Sequence, residues 1–235
     1  MQDYWNDSQD TEDKQLRVPD AIADLSFRIE CRGGLVVDHA YALYSEISRV
    51  LPWFETEADV ALHTLHGAES GNGWLRPYKA DELLHLSKRT RLRLRLSKSR
   101  FEDAKHLVGQ TLNIGDCTIN INRPTIRALS TQTTLLTRAL VAENTQSENE
   151  FLHQATEMLN AKGIHPQRMM GGRQHAIKTA DKTLYTRSLM IVDLAFDESI
   201  RLQQNGLGEH QKLGCGIFLP HKSIDAVYQV RKDQS

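Results

Sequence analysis

Hydrophobic periodicity gives the same order of strand and helix patterns twice along this chain of 235 residues, and that repeat restricts the fold more than any other feature. In the first half the patterns are a strand at "LSFRIEC", a helix at "VDHAYALYSEISRVLPWF", strands at "ADVALHTLHG" and "TRLRLRLS", a short helix at "SRFEDAKHLVG" and a hairpin-like strand at "QTLNIGDCTININ". Asp38 is a plausible N-cap of the first helix, which Pro52 ends. The order of this half is β-α-β-β-α-β.

The same order begins again after "NRPTIRALSTQ". The patterns there are a strand at "TLLTRALVA", a helix with a Ser-x-x-Glu capping box at "SENEFLHQATEMLNAKG", two strands in "RQHAIKTADKTLYTRSLMIVDLAF", a helix at "DESIRLQQNG" and a strand at "CGIFLPHKS". The sequence therefore predicts an α+β protein of two tandem ferredoxin-like (RRM-like) domains, at residues 25–128 and 129–228. Residues 1–24 are predicted to form an acidic, disordered tail.

Charge is distributed unevenly, although the formal net charge is only -1. Acidic residues crowd the predicted tail, at Asp3, Asp7, Asp10, Glu12, Asp13, Asp20 and Asp24. The charged residues of "SKRTRLRLRLSKSR", in contrast, are all basic. Because a polyanion responds to a local patch of charge and not to the total, the body of the protein remains a candidate nucleic-acid binder.

Two groups of basic residues are candidate RNA contacts. Arg91, Arg93 and Arg95 share one face of an alternating strand at intervals of about 7 Å, which is comparable to the phosphate spacing of an RNA strand. A solvated edge strand protected against aggregation is the alternative. The second group lies on the predicted hairpin and beyond the glycine-rich stretch, at Arg168, Arg173, Lys178, Lys182, Arg187 and Lys222.

Several classes of protein are disfavoured. No apolar stretch approaches the roughly 20 residues that cross a bilayer, and the N-terminus lacks the pattern of a signal peptide, so a cytoplasmic protein is expected. Cys31, Cys117 and Cys215 show no C-x-x-C spacing, which argues against a disulfide framework or a zinc site. Neither a metal nor a cofactor is expected.

The stretch "GLGEHQKLGCGIFLPHKS" contains four glycines, Gly206, Gly208, Gly214 and Gly216. Glycine permits positive φ and close backbone approach, so this loop at 206–216 is a candidate backbone cradle for a polyanion. It lacks the preceding strand and the Gly-Lys-Ser/Thr ending of a P-loop, and it does not fit a dinucleotide-binding fingerprint. The alternative is that Gly206 caps a helix and the other glycines relieve crowding.

Two motifs carry a resemblance to a known family. "GLGEHQKLGCGIFLPHK", preceded by "SIRLQQN", resembles the glycine-rich signature of the CRISPR repeat-processing endoribonucleases (Cas six). "VVDHAYALYSEISRVLPW" resembles the first-helix region of the Myxan-type branch of that family. The resemblance spans Leu25 to about Ser223 and leaves the acidic tail outside.

The resemblance implies a function. It implies metal-independent cleavage of CRISPR precursor RNA within each repeat stem-loop, by attack of a ribose 2′-hydroxyl on the adjacent phosphate, to give mature guide RNA. The products would carry a 2′,3′-cyclic (or 3′) phosphate and a 5′-hydroxyl, and the protein would stay on the repeat 3′ end as a subunit of an interference complex. The alternatives are a repeat-RNA-binding subunit that does not cut, and a tandem ferredoxin-like metabolic or regulatory protein unrelated to RNA.

Histidine is the natural acid or base for such a reaction, because it titrates near neutral pH. His39 matches the family's first-helix histidine and lies at a predicted helix start, where the helix dipole favours the neutral ring. Extension of the Asp38 cap is its alternative role, and His63 and His66 are rival candidates. The other expected contacts with the phosphate or the RNA are Lys212, Tyr41, Tyr44, His210, Lys222 and the four loop glycines.

Overall fold

A computed structural model describes residues 21–67 and 79–221. The first half contains a five-stranded antiparallel sheet in the order β3-β5-β1-β7-β6. Its strands are β1 (Ile22–Arg32), β3 (Val60–His63), β5 (Arg91–Ser97), β6 (Thr111–Ile114) and β7 (Cys117–Arg127). A two-stranded ladder lies beside it, formed by β2 (Leu35–Val36) and β4 (Leu83–Leu84).

The α-helices among the described residues of this half are α1 (Ala40–Val50), α2 (Trp53–Thr56) and α3 (Phe101–Ala104). α1 buries Ala40, Leu43 and Ile47, which are three of the apolar positions that predicted the helix. The short helix predicted at "SRFEDAKHLVG" is only one turn of α-helix between two 3₁₀ turns. The sheet and helices enclose a core in which the leucines of β5 are fully buried, as their alternation predicts.

The second half contains a four-stranded antiparallel sheet in the order β11-β8-β10-β9. Its strands are β8 (Leu135–Val141), β9 (Arg168–Lys178), β10 (Thr183–Val192) and β11 (Leu219–Pro220). The helices are α4 (Glu148–Asn160) and α5 (Phe196–Asn205). Ser147 and Glu150 form the predicted capping box of α4, and α5 ends at Gly206 as predicted.

The α+β class is therefore confirmed, whereas some boundaries differ from the prediction. β1 begins at Ile22, so Asp24, which the sequence places in the acidic tail, is a buried strand residue. β7 continues to Arg127 and takes in part of the proline-containing stretch after the first half, because Pro124 lies where β7 meets a register shift in β1. The remainder of the tail, residues 1–20, lies outside the described residues, as does Lys222.

The two halves meet through a small apolar cluster. Ala40 of α1, Ile177 of β9, Leu184 of β10, and Leu213 and Cys215 of the glycine-rich loop pack together. This cluster places the start of α1, the β9–β10 hairpin and the loop next to one another. None of the helices in residues 21–67 and 79–221 has the length and apolar content of a membrane span.

Candidate active site and RNA interface

A cavity of about 270 Å³ lies where residues of both halves approach each other. Its wall is formed by the end of β3, the segment before β5, β5 itself, β8 and the glycine-rich loop. The side chains in it that can carry charge are His63, His66, Arg89, Arg91, Arg93 and Arg138. The cavity therefore combines imidazole groups with four guanidinium groups.

The arginines of β5 that line the cavity have neighbours of the same charge. Arg91 lies directly opposite Arg28 on β1, a pairing that is unfavourable for two like charges. Arg93 is half-buried, and its Nε has no hydrogen-bond partner among the described residues. Burial lowers the pKa of Arg93. The charge of Asp24 opposes this effect, and the charges of Arg127, Arg95 and Arg91 add to it. A bound anion would satisfy the Nε donor and reduce the repulsion.

Arg95 is a correction to the predicted ridge of three exposed arginines. It is 4% exposed, and its Nε and Nη2 donate to the two carboxylate oxygens of Asp24 at 2.7 and 3.1 Å. Its Nη1 donates to the backbone oxygens of Gln203 and Phe218 at 2.8 and 3.0 Å. The second half covers this end of the strand, so Arg95 joins the halves and cannot face RNA.

His63, at the end of β3, and His66, three residues later, differ in their exposure to solvent. His63 is buried, its Nε2 lies 3.4 Å from Asp24 Oδ1, and burial lowers its pKa. His66 is partly exposed, and its Nε2 lies 3.1 Å from the hydroxyl oxygen of Thr64. Strand alternation predicts opposite faces for the two rings, but β3 ends at His63 and both rings line the cavity.

His39, the first choice from the sequence, does not line the described cavity and is buried. Its Nδ1 lies 2.8 and 2.9 Å from the backbone oxygens of Val36 and Val37, so this nitrogen carries the proton. Its Nε2 accepts a hydrogen bond from the backbone N–H of Leu65 at 3.0 Å. Both nitrogens are therefore engaged with the backbone, which disfavours His39 as an acid or base toward RNA.

His39 should make the stability of the protein depend on pH. Burial lowers its pKa below 6.5 in the folded state, whereas the unfolded chain restores the ordinary value. The unfolded state then binds the proton first, so the free energy of unfolding should fall as the pH drops below about 6.5 and level off below the lowered pKa. Each unit of lowering is worth about 1.4 kcal/mol.

Urea unfolding at pH 7.5 and at 5.5 measures this loss. His63 contributes in the same direction, so the comparison is between the wild type and His39→Gln. The variant should lose less stability than the wild type over this interval, since glutamine does not titrate. Equal losses in the two proteins would show that folding does not lower the pKa of His39.

The glycine-rich loop folds back on itself and packs closely. All four glycines have positive φ, between 60° and 83°. A side chain at Gly216 would overlap the carbonyl oxygen of Leu207, and one at Gly206 would lie 2.7 Å from the oxygen of Gly216. The crowding and the helix cap at Gly206 agree with the alternative explanation of the glycines.

Backbone N–H groups near both ends of this loop are used within the protein. Leu207 donates to Gly216 at 3.0 Å, Gly216 to Ala139 at 2.6 Å, and Gly214 to Gln211 at 3.1 Å. These donors cannot also bind a phosphate, so the predicted cradle does not exist at them. Gly214 nevertheless borders the cavity, because the loop passes beside Thr64.

Tyr41 and Lys212 do not line the cavity. The ammonium of Lys212 donates to the backbone oxygen of Glu55 at 2.7 Å and lies 5.9 Å from the ring centre of Phe54. Burial lowers the pKa of the Lys212 ammonium. Tyr41 is half-buried against the apolar cluster between the halves. His210, within the same loop, has left-handed backbone geometry, with φ 63°.

Strand β9 presents most of its side chains to solvent. Arg168 forms an ion pair with Asp193, and Arg173 and Lys178 are exposed. The backbone N–H of Lys178 donates to the carboxylate of Asp38 at 3.2 Å, so Asp38 holds this strand and does not cap α1 as predicted. The exposed basic side chains of β9 remain candidate RNA contacts.

Comparison with known proteins decides the family. Residues 23–223 match the family described as Cas6 Crispr. This chain belongs to the Cas6 family. The resemblance to the Cas six endoribonucleases is therefore confirmed over nearly the same span as the sequence indicated. A curated relative, the CRISPR-associated endonuclease Cas6 of Myxococcus xanthus (strain DK1622), is 28% identical over 199 residues, which cover 85% of this chain and 81% of the relative.

Solved structures support the same fold. One described as an RAMP protein binding different RNA substrates has a TM-score of 0.57 at 12% identity, covering 85% of this Cas6 chain and 100% of that chain. A Cas6-related protein from Pyrococcus furiosus has a TM-score of 0.56 at 12% identity, covering 84% of this chain and 97% of that one. At such low identity these matches establish the fold alone.

The sequence of this Cas6 protein did not point to two charged residues of the cavity, Arg89 and Arg138. Arg89 belongs to the basic run before β5, but its loop position gave no reason to single it out. Arg138 lies on β8 in the other half, and no local pattern connects it with β5. The structure brings together His63, His66, Arg91, Arg93 and Gly214 from the predicted set, and it separates them from His39, Tyr41 and Lys212.

Proposed function

We propose that this Cas6 protein is a metal-independent endoribonuclease that cleaves CRISPR precursor RNA within the repeat. The attacking group is a ribose 2′-hydroxyl, and the products carry a 2′,3′-cyclic phosphate and a 5′-hydroxyl. The main observation in support of this proposal is that His66 lines the same cavity as Arg89, Arg91, Arg93 and Arg138. Family membership and the endonuclease name of the M. xanthus relative support the reaction class.

The residues of the cavity can supply what this reaction needs. His66 is the partly exposed histidine of the three candidates, so we assign to it the transfer of a proton to or from the reacting oxygen. The guanidinium groups would stabilise the negative charge that develops on the phosphate oxygens. Lys212 would have to leave the Glu55 carbonyl before it could assist, so its role at the phosphate is secondary.

Exposed basic residues outside the cavity would hold the repeat. We assign RNA contacts to Arg168, Arg173 and Lys178 on β9 and to His210 in the loop, with the stem recognised through its backbone. Retention of the repeat 3′ end in an interference complex, and a place in the cytoplasm, belong to the same proposal.

The proposed domain plan is two ferredoxin-like units. The main elements of each half follow the order β-α-β-β-α-β. In the first half they are β1, α1, β3, β5, α3 and β7, and in the second half they are β8, α4, β9, β10, α5 and β11. The strand order in both sheets agrees as well, because the first strand of each unit lies between the third and the fourth. These two features support the plan.

The experiment is cleavage of the host's labelled repeat RNA in EDTA, repeated with a 2′-deoxy substitution at each position in turn. The expected result is a single cut that persists in EDTA and disappears with one 2′-deoxy nucleotide. Loss of cleavage in EDTA would overturn the metal-independent mechanism. A cut that survives every 2′-deoxy substitution would overturn attack by the 2′-hydroxyl.

A repeat-binding subunit that does not cut is the second candidate. The observation in its favour is that His39 and His63 are both buried, which leaves His66 alone among the three candidate histidines in partial contact with solvent. The same assay separates the candidates, because a pure binding subunit would retain the RNA tightly and leave every repeat intact.

A further inference from the structure

His39 connects two parts of the chain that are distant in sequence. Its ring lies between the carbonyls of Val36 and Val37, just before α1, and the backbone N–H of Leu65, just after β3. The first two oxygens require a proton on Nδ1, and the Leu65 N–H requires a lone pair on Nε2. The contacts thus select one neutral tautomer, which is held at 2% exposure.

Leu65 is flanked by two residues of the cavity wall. Thr64 and His66 both line the cavity, while the Leu65 side chain is buried in the core on the other side of the backbone. β3 ends at His63, so residues 64–66 lie beyond the pairing with β5 that holds β3 in the sheet. The hydrogen bond from Leu65 to His39 is a buried polar contact of the backbone next to His66, in addition to the contact between the Thr64 hydroxyl and the His66 ring.

We infer that His39 is a positioning residue for His66, acting through the backbone of Leu65. The inference rests on the proposed function, since it gives His66 the proton transfer. His39 holds the N–H of Leu65, the bond fixes the path of residues 64–66, and this path presents the His66 ring to the arginines of the cavity. A histidine in the first-helix motif then contributes to cleavage without contacting the RNA.

The neighbours of His39 explain why other side chains serve poorly. Alanine would leave the buried Leu65 N–H and the partly buried carbonyls of Val36 and Val37 without their partner. Glutamine has one acceptor and one donor group, so it can retain the Leu65 bond, although its flexible chain holds the position less firmly. Function should therefore decrease in the order histidine, glutamine, alanine.

The first test measures the contact itself. Hydrogen exchange of the Leu65 amide is followed by NMR in the wild type, His39→Gln and His39→Ala, with His153→Ala, an exposed site on α4, as the matched control. Exchange at Leu65 should rise by about 10-fold or more in the alanine variant and less in the glutamine variant. An unchanged exchange rate would overturn the inference, whatever the cleavage assays show.

The second test measures the consequence for catalysis. Single-turnover cleavage and RNA affinity are compared for His39→Gln, His66→Ala and the double variant. His39→Gln should slow cleavage by about 10- to 100-fold at nearly unchanged RNA affinity, because a misplaced catalytic group loses rate. In the His66→Ala background the same substitution should change the rate by no more than about 2-fold, since there is no ring left to position.

The pH profile separates positioning from direct proton transfer. His39→Gln should lower the whole profile of the cleavage rate and keep its shape, because the titrating ring is still His66. Loss of one limb of the profile would show that His39 itself transfers a proton, and would overturn the inference. If His66→Ala cleaves like the wild type, the proposed role of His66 in proton transfer is wrong. The exchange rate of the Leu65 amide still tests, independently of that result, whether His39 holds the Leu65 N–H.

Discussion

Substitution of His66 by alanine is expected to slow single-turnover cleavage of the repeat RNA by about 10²- to 10⁴-fold, the usual contribution of a general acid or base. The ring borders the cavity that contains four arginines, and its partial exposure leaves it accessible to a substrate. RNA affinity should change little, because the charge that attracts the phosphates resides on the guanidinium groups. Filter binding and single-turnover kinetics measure the two quantities separately.

The control for this variant is His153→Ala, which removes an exposed histidine of α4 whose Nε2 lies 3.4 Å from Glu157 Oε1. Its cleavage rate should equal that of the wild type. Arg93→Ala provides the complementary result, since it should weaken RNA binding and cleavage together. A His66→Ala protein that cleaves within about 3-fold of the wild type would contradict the assignment, because a general acid or base typically contributes about 10²- to 10⁴-fold.

The elements of the fold could be predicted from the sequence because each depends on local pattern. The leucines of β5 alternate with polar residues, and this alone places them in the core. Ser147 and Glu150 are three positions apart, which suffices to predict the start of α4. Gly206 ends α5 for a similarly local reason, since it adopts a positive φ that other residues rarely take.

The partners of the polar residues could not be predicted in the same way. The alternation of β5 places Arg91, Arg93 and Arg95 on one face, but it does not show that the second half buries Arg95 and leaves Arg91 and Arg93 lining a cavity. His39 fits a helix start and a family motif, yet its Nε2 is bonded to the backbone N–H of Leu65, which is 26 positions away. Asp38 reaches Lys178, 140 positions away. Such contacts depend on tertiary packing, which local periodicity does not encode.

Substitution of Arg95 by alanine is expected to lower the free energy of unfolding by about 3–5 kcal/mol, the usual cost of leaving one member of a buried ion pair alone. In the wild type, burial raises the pKa of Asp24, but His63 and Arg95 hold it far below the usual range. Without Arg95, a buried carboxylate would lose its main charged partner. The carbonyls of Gln203 and Phe218 would also lose their donor. Urea unfolding followed by circular dichroism measures the loss.

Arg91→Ala is the matched control on the same strand. Arg91 is half-buried and donates to the backbone oxygens of Lys88 and Thr90, so its loss should cost about 1 kcal/mol or less. The double variant Asp24→Asn/Arg95→Met should be more stable than Arg95→Ala, because no uncompensated charge remains. Since Arg95 binds Gln203 and Phe218 from the other half, its alanine variant should also unfold less cooperatively. A variant within about 1 kcal/mol of the wild type would show that the Arg95 contacts do not hold the halves together.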